Sequence, residues 1–273
     1  MIELKEDDFG KFSAYVYQQC GINLTAPKRI LLEGRLQKRL VSLNMKCFRE
    51  YYRYVTGPAG KEELVHMLDA VSTNKTDFFR ESAHFDFVAK SVVSAFRNKK
   101  GSSPLRIWSA ACSTGEEPYT IAMVLEEEIG KKGPINYEIL ATDISTKVLK
   151  HAANGVYQEN RIVDIPQHLR KKYLLRSKDP TKGLVRIVPG LRRKISYQRL
   201  NLMDADYNLN SLQDIIFCRN VLIYFDKETQ KHVVKKLIQY LRPGGYLFIG
   251  HSESLFEMDL PLRQLMPATY QKI

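Results

Sequence analysis

From Pro104 onward, short apolar runs alternate with amphipathic ones, and this alternation constrains the fold more than any other feature of the chain. "LRIWSA" reads as a strand and "GEEPYTIAMVLEEEIG" as a helix; "NYEILATDI" and "STKVLKHAANG" repeat the pair. Further on, "LQDIIFCRN" is a strand, "DKETQKHVVKKLIQYLRPGG" a helix with its stop signal, and "YLFIGHS" a strand. The tail "LMPATYQKI" reads as a last antiparallel strand. Alternation of this kind predicts an α/β fold, an open, doubly wound, mostly parallel sheet with helices on both faces. Ligands of such sheets sit beyond the carboxyl ends of the strands.

The first seventy or so residues differ. Phe9, Phe12, Val16 and Cys20 recur at helical spacing, and after "NLTAP" a second helix runs through "KRILLEGRLQKRLVSL" with Leu32, Leu36, Leu40 and Leu43 on one stripe. Lys28, Arg35 and Arg39 fall on an adjacent stripe, within about 40° of one another at 3.6 residues per turn. Two shorter helices complete an all-helical domain over 1–73, joined by a linker over 74–103 to the sheet domain over 104–273. Between 157 and 202 the alternation breaks, and "KGLVRIVPGLRRKISYQRL" predicts a small antiparallel β insertion. The formal net charge of +12 favours an acidic partner, whether nucleic acid, lipid or protein.

The turn "SAACSTGEEP" is where the chemistry concentrates. Successive backbone N–H groups at a strand-to-helix turn form a concavity for a ligand, and small side chains allow close approach. Phosphate ligands demand several glycines or a lysine-bearing loop; here Gly115 is the single glycine. A phosphate-free nucleoside such as S-adenosylmethionine needs less clearance. Glu117, just inside the helix, suits a cationic or hydrogen-donating ligand group, or simply the helix N-terminus. Asp143 ends the second strand, where an acidic residue accepts from ribose hydroxyls or caps the next helix. Arg219 and Asn220 end a later strand facing the same crevice. "NKTDFFRE", with Asn74, Thr76 and Arg80, lies at the junction of the two domains, a favoured place for a cleft.

Other chemistries are excluded by spacing. His251, Ser252 and Glu253 of "GHSES" are adjacent on a strand and cannot converge as a triad, so His251 reads as a structural residue. No metal-binding spacing occurs, and no metal is expected. Cys20, Cys47, Cys112 and Cys218 are scattered and read as reduced thiols. No apolar run reaches the roughly 18 residues of a membrane span, and the start lacks the pattern of a signal peptide. A cytoplasmic protein with no membrane insertion is expected.

Taken together, "NKTDFFRE", "RIWSAACSTGEEPYTIAM", "ATDIS", "NLMD", "IIFCRNVLIYFD" and "LRPGGYLFIGHSE" resemble the chemotaxis receptor glutamate methyltransferases of the CheR type, over nearly the whole chain. The resemblance implies a Rossmann-like S-adenosylmethionine-dependent methyltransferase domain that converts receptor glutamates to methyl esters and releases S-adenosylhomocysteine. It implies cofactor contacts at Asn74, Thr76, Arg80, Glu117, Asp143, Asn201, Leu202, Arg219 and Asn220, with Arg80 and Tyr224 also facing the substrate glutamate. It further implies a partner in the helical signalling domain of chemoreceptors, met by Lys28, Arg35 and Arg39, and in some members a receptor C-terminal pentapeptide at the β insertion. A monomer is expected. Cys112 lies in the middle of the turn, where oxidation would block the cofactor.

Two other functions compete. Amino-directed nucleic-acid methyltransferases often carry a proline-containing motif where this chain reads "RNVLIYF", so a nucleic-acid substrate is not expected. A receptor-binding module without turnover is disfavoured by the intact Arg80, Asp143 and Asn220.

Overall fold

The structure, a computed structural model, describes residues 2–97 and 103–273. Residues 98–102 of the expected linker lie outside the described residues. Four helices form the N-terminal domain: α1 (Glu6–Cys20), α2 (Arg29–Ser42), α3 (Phe48–Thr56) and α4 (Lys61–Val71). Their apolar stripes meet in one core, with Phe12, Val16, Leu36, Leu40, Tyr51 and Met67 essentially inaccessible to solvent. Burial of these stripes, more than intrinsic propensity, holds helices this short.

A helical segment α5 (residues 83–97) with a π turn at Val88–Val92 leads to the sheet domain. There follow β1 (Leu105–Ala110), α6 (Glu116–Lys132), β2 (Tyr137–Asp143), α7 (Thr146–Asn154), β3 (Val156–Gln158), α8 (Gln167–Tyr173), β4 (Leu174–Arg176) and β5 (Leu184–Ile187). The chain continues through β6 (Ile195–Arg199), β7 (Gln213–Cys218), α9 (Lys227–Gln239), β8 (Leu241–Phe248), β9 (Leu262–Met266) and β10 (Thr269–Lys272). Seven strands form one sheet in the order β6-β2-β1-β7-β8-β10-β9. The first five are parallel and β10 pairs antiparallel with both β8 and β9.

Alternation within each strand feeds two cores. Ile107, Ile215, Phe217 and Phe248 face one side with Ala122 and Leu125 of α6. Trp108, Ile216, Cys218 and Leu247 face the other with Val233, Val234 and Leu237 of α9. A sheet buried on both faces needs such near-continuous apolar strands. The chain winds from β1 outward to β2 and β6, then returns to the other side of β1 as β7. The topological switch point therefore lies between β1 and β7, and the crevice outside their carboxyl ends is the place for a ligand.

The antiparallel insertion is smaller than its basic, β-branched sequence suggests. A three-stranded sheet, β3-β5-β4, spans 156–187, whereas Ile195–Arg199 joins the large sheet in parallel with β2. Ile195 is buried in the main core, which is why this stretch belongs there. Strand β8 also starts earlier than expected, at Leu241, with "PGG" absorbed as a register shift opposite β7. Among the described residues, no helix is long and apolar enough to cross a membrane.

The basic stripe of α2 is not a free surface. Arg39 forms a two-pronged pair with Glu63 of α4, at 2.8 and 2.6 Å, and Tyr51 donates to the same carboxylate at 2.7 Å. Glu63 is 4% exposed. Arg39 therefore carries a structural pair as well as lying on the stripe expected to meet a partner, and its side chain remains 24% exposed. Arg35 donates to the carbonyl of Val71 and, at 2.9 Å, to Thr73 Oγ1, pinning the segment that leads into the domain junction. Lys28 bonds the carbonyl of Asn23 at 3.0 Å, leaving its ammonium exposed.

Burial pushes the Glu63 carboxyl up, and the bonds from Arg39 and Tyr51 more than offset it, leaving it below its ordinary value. A carboxylate with a depressed folded-state pKa contributes stability above its unfolded value, lost as pH falls through about 4.5 and below. Breaking a buried pair from one side leaves an uncompensated charge. Arg39→Ala is accordingly expected to cost about 3 kcal/mol in urea unfolding at neutral pH, with the difference from wild type shrinking as the carboxylate is protonated.

Candidate functional site

The cleft at the switch point is built from four strand ends and the junction segment. Asn74, Thr76, Arg80, Glu117, Asp143, Asn201, Leu202, Arg219, Asn220 and Tyr224 all line it, together with Ala111, Cys112 and Ser113 of the β1–α6 turn. The structure thus brings together every residue expected to touch cofactor or substrate glutamate. Lys28, Arg35 and Arg39 are not among the lining residues.

Each wall has a local cause. The "FF" of "NKTDFFRE" anchors the junction: Phe78 is 1% exposed and meets Tyr157 edge-on with ring centroids 5.0 Å apart, while Phe79 packs on Phe85. Ser113 Oγ donates to the carbonyl of Asn74 at 2.9 Å, tying this segment to the β1–α6 turn. Asp143 joins two turns, because Oδ2 accepts from Ser113 N and Oδ1 from Ser145 N, both at 2.9 Å. It does not cap α7; Ser145 Oγ does, accepting from Val148 N. Burial pushes the Asp143 carboxyl up, while the two N–H donors pull it down.

Arg219 sits at the centre. Its side chain is 2% exposed and bonds Glu117 at 3.0 Å, Glu81 at 3.0 Å and the carbonyl of Arg80. Ser109 Oγ donates to the other Glu117 oxygen at 2.7 Å, so this carboxylate is fixed from both sides. Glu81 also takes Asn220 Nδ2 at 3.2 Å. Burial pushes the Glu81 carboxyl up, and Arg219 and Asn220 more than offset it.

The backbone here is strained. Eight non-glycine residues among those described have positive φ, and five stand around the cleft: Phe79 and Glu81 flanking Arg80, Ala111 and Ser113 in the turn, and Asn220. Such conformations cost about 1 kcal/mol or more each and persist only where surroundings enforce them. Gly115, at φ 96°, packs the start of α6 against α7; a Cβ there would lie 2.8 Å from that of Ala152.

Three residues that shape the cleft escaped sequence reasoning. Glu81 is one. Arg161, from the turn after β3, bridges Asp77 at 3.1 Å and Glu116 at 2.9 Å, and donates to the Thr76 carbonyl. Glu253 accepts from the backbone N–H groups of Asn220, Ile223 and Gly250, holding the loop that carries Asn220 and Tyr224. The partners that tie each of them to the cleft, Arg219, Glu116 and Asn220, are remote in sequence, so no local pattern marks these charges. Asn201, by contrast, spends its side chain on Gln19 O and Met203 N, and faces the cleft as part of a fixed wall.

Arg80 has a different status. Its guanidinium donates to the Lys75 carbonyl at 3.2 Å, and among the described residues it forms no ion pair. Cys112 is 1% exposed and burial pushes its thiol well above the ordinary range, so it stands in the turn as a neutral thiol. All four cysteines are unpaired.

The donor set fits a phosphate-free nucleoside. Carboxylates at the β2 end and on α6 receive hydroxyl and ammonium groups and repel phosphates, and the β1 turn offers small side chains without a lysine.

The family model for the CheR methyltransferase SAM binding domain matches residues 74–270, and that for the CheR methyltransferase all-alpha domain matches 7–72. The chain is 41% identical to a chemotaxis protein methyltransferase of Borreliella burgdorferi, over 99% of this chain and 96% of that one. It is 39% identical to chemotaxis protein methyltransferase 2 of Pseudomonas aeruginosa, over 97% and 92% of the respective chains. With the chemotaxis protein methyltransferase of Escherichia coli the figure is 35%, over 94% and 88%.

A Cβ on Gly250 would lie 2.4 Å from Asn220 Nδ2 and 2.9 Å from its backbone nitrogen. Gly250→Ala is therefore expected to displace the Asn220 loop and lower unfolding free energy by about 1–3 kcal/mol, read by urea titration.

Proposed function

The chain belongs to the CheR methyltransferase family, and we propose that the switch-point cleft holds S-adenosylmethionine beside a bay that takes one receptor glutamate. Membership makes the chain an S-adenosylmethionine-dependent chemotaxis protein methyltransferase. Our reading assigns the roles of individual residues and rests on one observation above all: Arg80, a cation without an ion-pair partner among the described residues, lines the same cleft as two fixed carboxylates.

Asp143 would accept from the ribose hydroxyls and Glu117 from the amino group, with Asn74, Thr76, Asn201, Leu202, Arg219 and Asn220 completing the walls. When bound, S-adenosylmethionine supplies an activated methyl group with a neutral thioether as leaving group. The chain's own task is then orientation. A glutamate of ordinary pKa, about 4.3, is ionised at pH 7, so no residue need remove a proton. Arg80 can hold that carboxylate in place and Tyr224 closes the bay beside it. Neutralisation of opposite charges is favoured where water is thin, and positioning is worth up to roughly 7–11 kcal/mol in good cases. Neutral glutamine lacks the required charge and should not react.

The same reading puts the protein in the cytoplasm as a monomer, with a helical receptor signalling domain approaching across α2. Lys28 stands half-buried just before α2, and Arg35 lies close enough to feel the Tyr224 hydroxyl. Because Arg35 also pins the chain ahead of Asn74, its replacement is expected to reach the cleft as well as the docking face. The β3-β5-β4 sheet offers short edge strands on which a receptor C-terminal peptide could pair.

Labelled S-adenosylmethionine and receptor signalling domains should yield base-labile methyl esters on glutamate; label on RNA, or none at all, would overturn the reading. Asp143→Ala should abolish S-adenosylhomocysteine binding in calorimetry. Arg80→Met should lower kcat/KM for receptor methylation by about a hundredfold, a larger loss than its effect on S-adenosylhomocysteine affinity.

A further inference from the structure

We propose that Glu81, His84 and His251 form a site for a borderline transition-metal ion, Zn2+ by the character of its donors, and that filling it weakens cofactor binding. The three side chains come from two places, the start of α5 and the loop after β8. Their ligand atoms lie within 4.8 Å of one another. His84 Nδ1 is 3.7 Å from Glu81 Oε2, and the two imidazole rings meet edge-on at 5.0 Å.

The second observation is independent of this proximity. His84 is 0% exposed, yet among the described residues neither ring nitrogen has a hydrogen-bond partner. The Pro267 backbone lies against the ring without forming a bond of normal geometry. Buried polar atoms are nearly always satisfied, and exceptions point to a missing water, ion or functional role. Here an orphaned imidazole faces a carboxylate and a second imidazole, the two-histidine, one-carboxylate donor set of open zinc sites. Tetrahedral zinc places donors about 3.4 Å apart, so the cluster must close by up to about 1.4 Å from its 4.8 Å spread. His251 is exposed and free to rotate inward, and it supplies that movement. A water or exogenous ligand would fill the fourth position.

The site communicates with the cleft through Glu81. Its two oxygens bond Arg219 at 3.0 Å and Asn220 at 3.2 Å, and both of those residues line the cleft. A metal that draws on the Glu81 carboxylate competes with both bonds and adds positive charge beside Arg219. This coupling rests on the cofactor reading above; metal occupancy itself does not.

The test uses the full chain, stripped with a chelator, with Zn2+ and Co2+ as probes. Zinc competed against a chromophoric chelator should bind one equivalent, and cobalt should show the visible absorption of a tetrahedral ion. His251→Ala, at an exposed position that should fold normally, is expected to weaken binding at least about tenfold, the loss typical of even an outer-shell partner. One equivalent of zinc should lower S-adenosylhomocysteine affinity about fivefold or more in wild type and not in His251→Ala. No zinc binding, or binding undiminished in His251→Ala and therefore seated elsewhere (exposed Cys47, for instance), overturns the site. Zinc bound with cofactor affinity unchanged overturns the coupling. If the metal-free protein binds no S-adenosylhomocysteine, the cofactor reading fails, while the cobalt spectrum still decides the metal site.

Discussion

The forked ion pair of Arg219 with Glu81 and Glu117 organises the whole ligand-binding end of the molecule. A guanidinium with a 2% exposed side chain is tolerable only when paired and hydrogen-bonded, and its partners join two walls. Glu117 fixes the start of α6, Glu81 fixes the junction segment, and the Arg80 carbonyl sets the backbone from which the unpaired Arg80 projects. The planar fork of arginine satisfies these directions at once, which a lysine could not. The strained residues Phe79, Glu81 and Asn220 lie beside this pair, and it is part of what holds them.

The carboxylates of Glu117 and Asp143 and the guanidinium groups of Arg80 and Arg219 give the cleft a polarity suited to a zwitterionic, cationic ligand on one side and an anionic acceptor on the other. Glu117 is pinned and Asp143 is shared between two turns, so neither must reorganise when a ligand arrives. That rigidity, rather than any proton-transfer group, is what the residues offer to catalysis. The catalytic domain is also not independent of the helical one. Tyr224 O accepts from Asn23 N at 2.8 Å and Asn201 Nδ2 donates to Gln19 O at 2.6 Å, so the end of α1 and the loop after it brace the loops after β7 and β6.

What could be read from the sequence follows from the range of each signal. Strand–helix alternation and the polar strand ends at Asp143 and Arg219 are local patterns, and they placed the sheet and its crevice. The motif "NKTDFFRE" carried the junction because its two phenylalanines sit beside the polar residues they anchor. Misreadings arose where the deciding partner is distant. "ISYQR" looked like part of an antiparallel insertion until its pairing with β2, more than fifty residues earlier, placed Ile195 in the main core. The structural pair of Arg39 was invisible because Glu63 and Tyr51 stand on other helices. Glu81, Arg161 and Glu253 reach the cleft through partners distant in sequence, and His84 gives no sign in one dimension that its ring is buried without a bond among the described residues.

The central claim is that a phosphate-free, positively charged methyl donor lies across the carboxyl ends of β1, β2 and β7. A crystal structure of the protein grown with S-adenosylhomocysteine tests it most directly. The account predicts the ribose at Asp143, the amino group at Glu117 and the guanidinium of Arg80 beside the bay that takes the acceptor carboxylate. A ligand bound elsewhere, or one whose ribose and amino groups avoid both carboxylates, would contradict it.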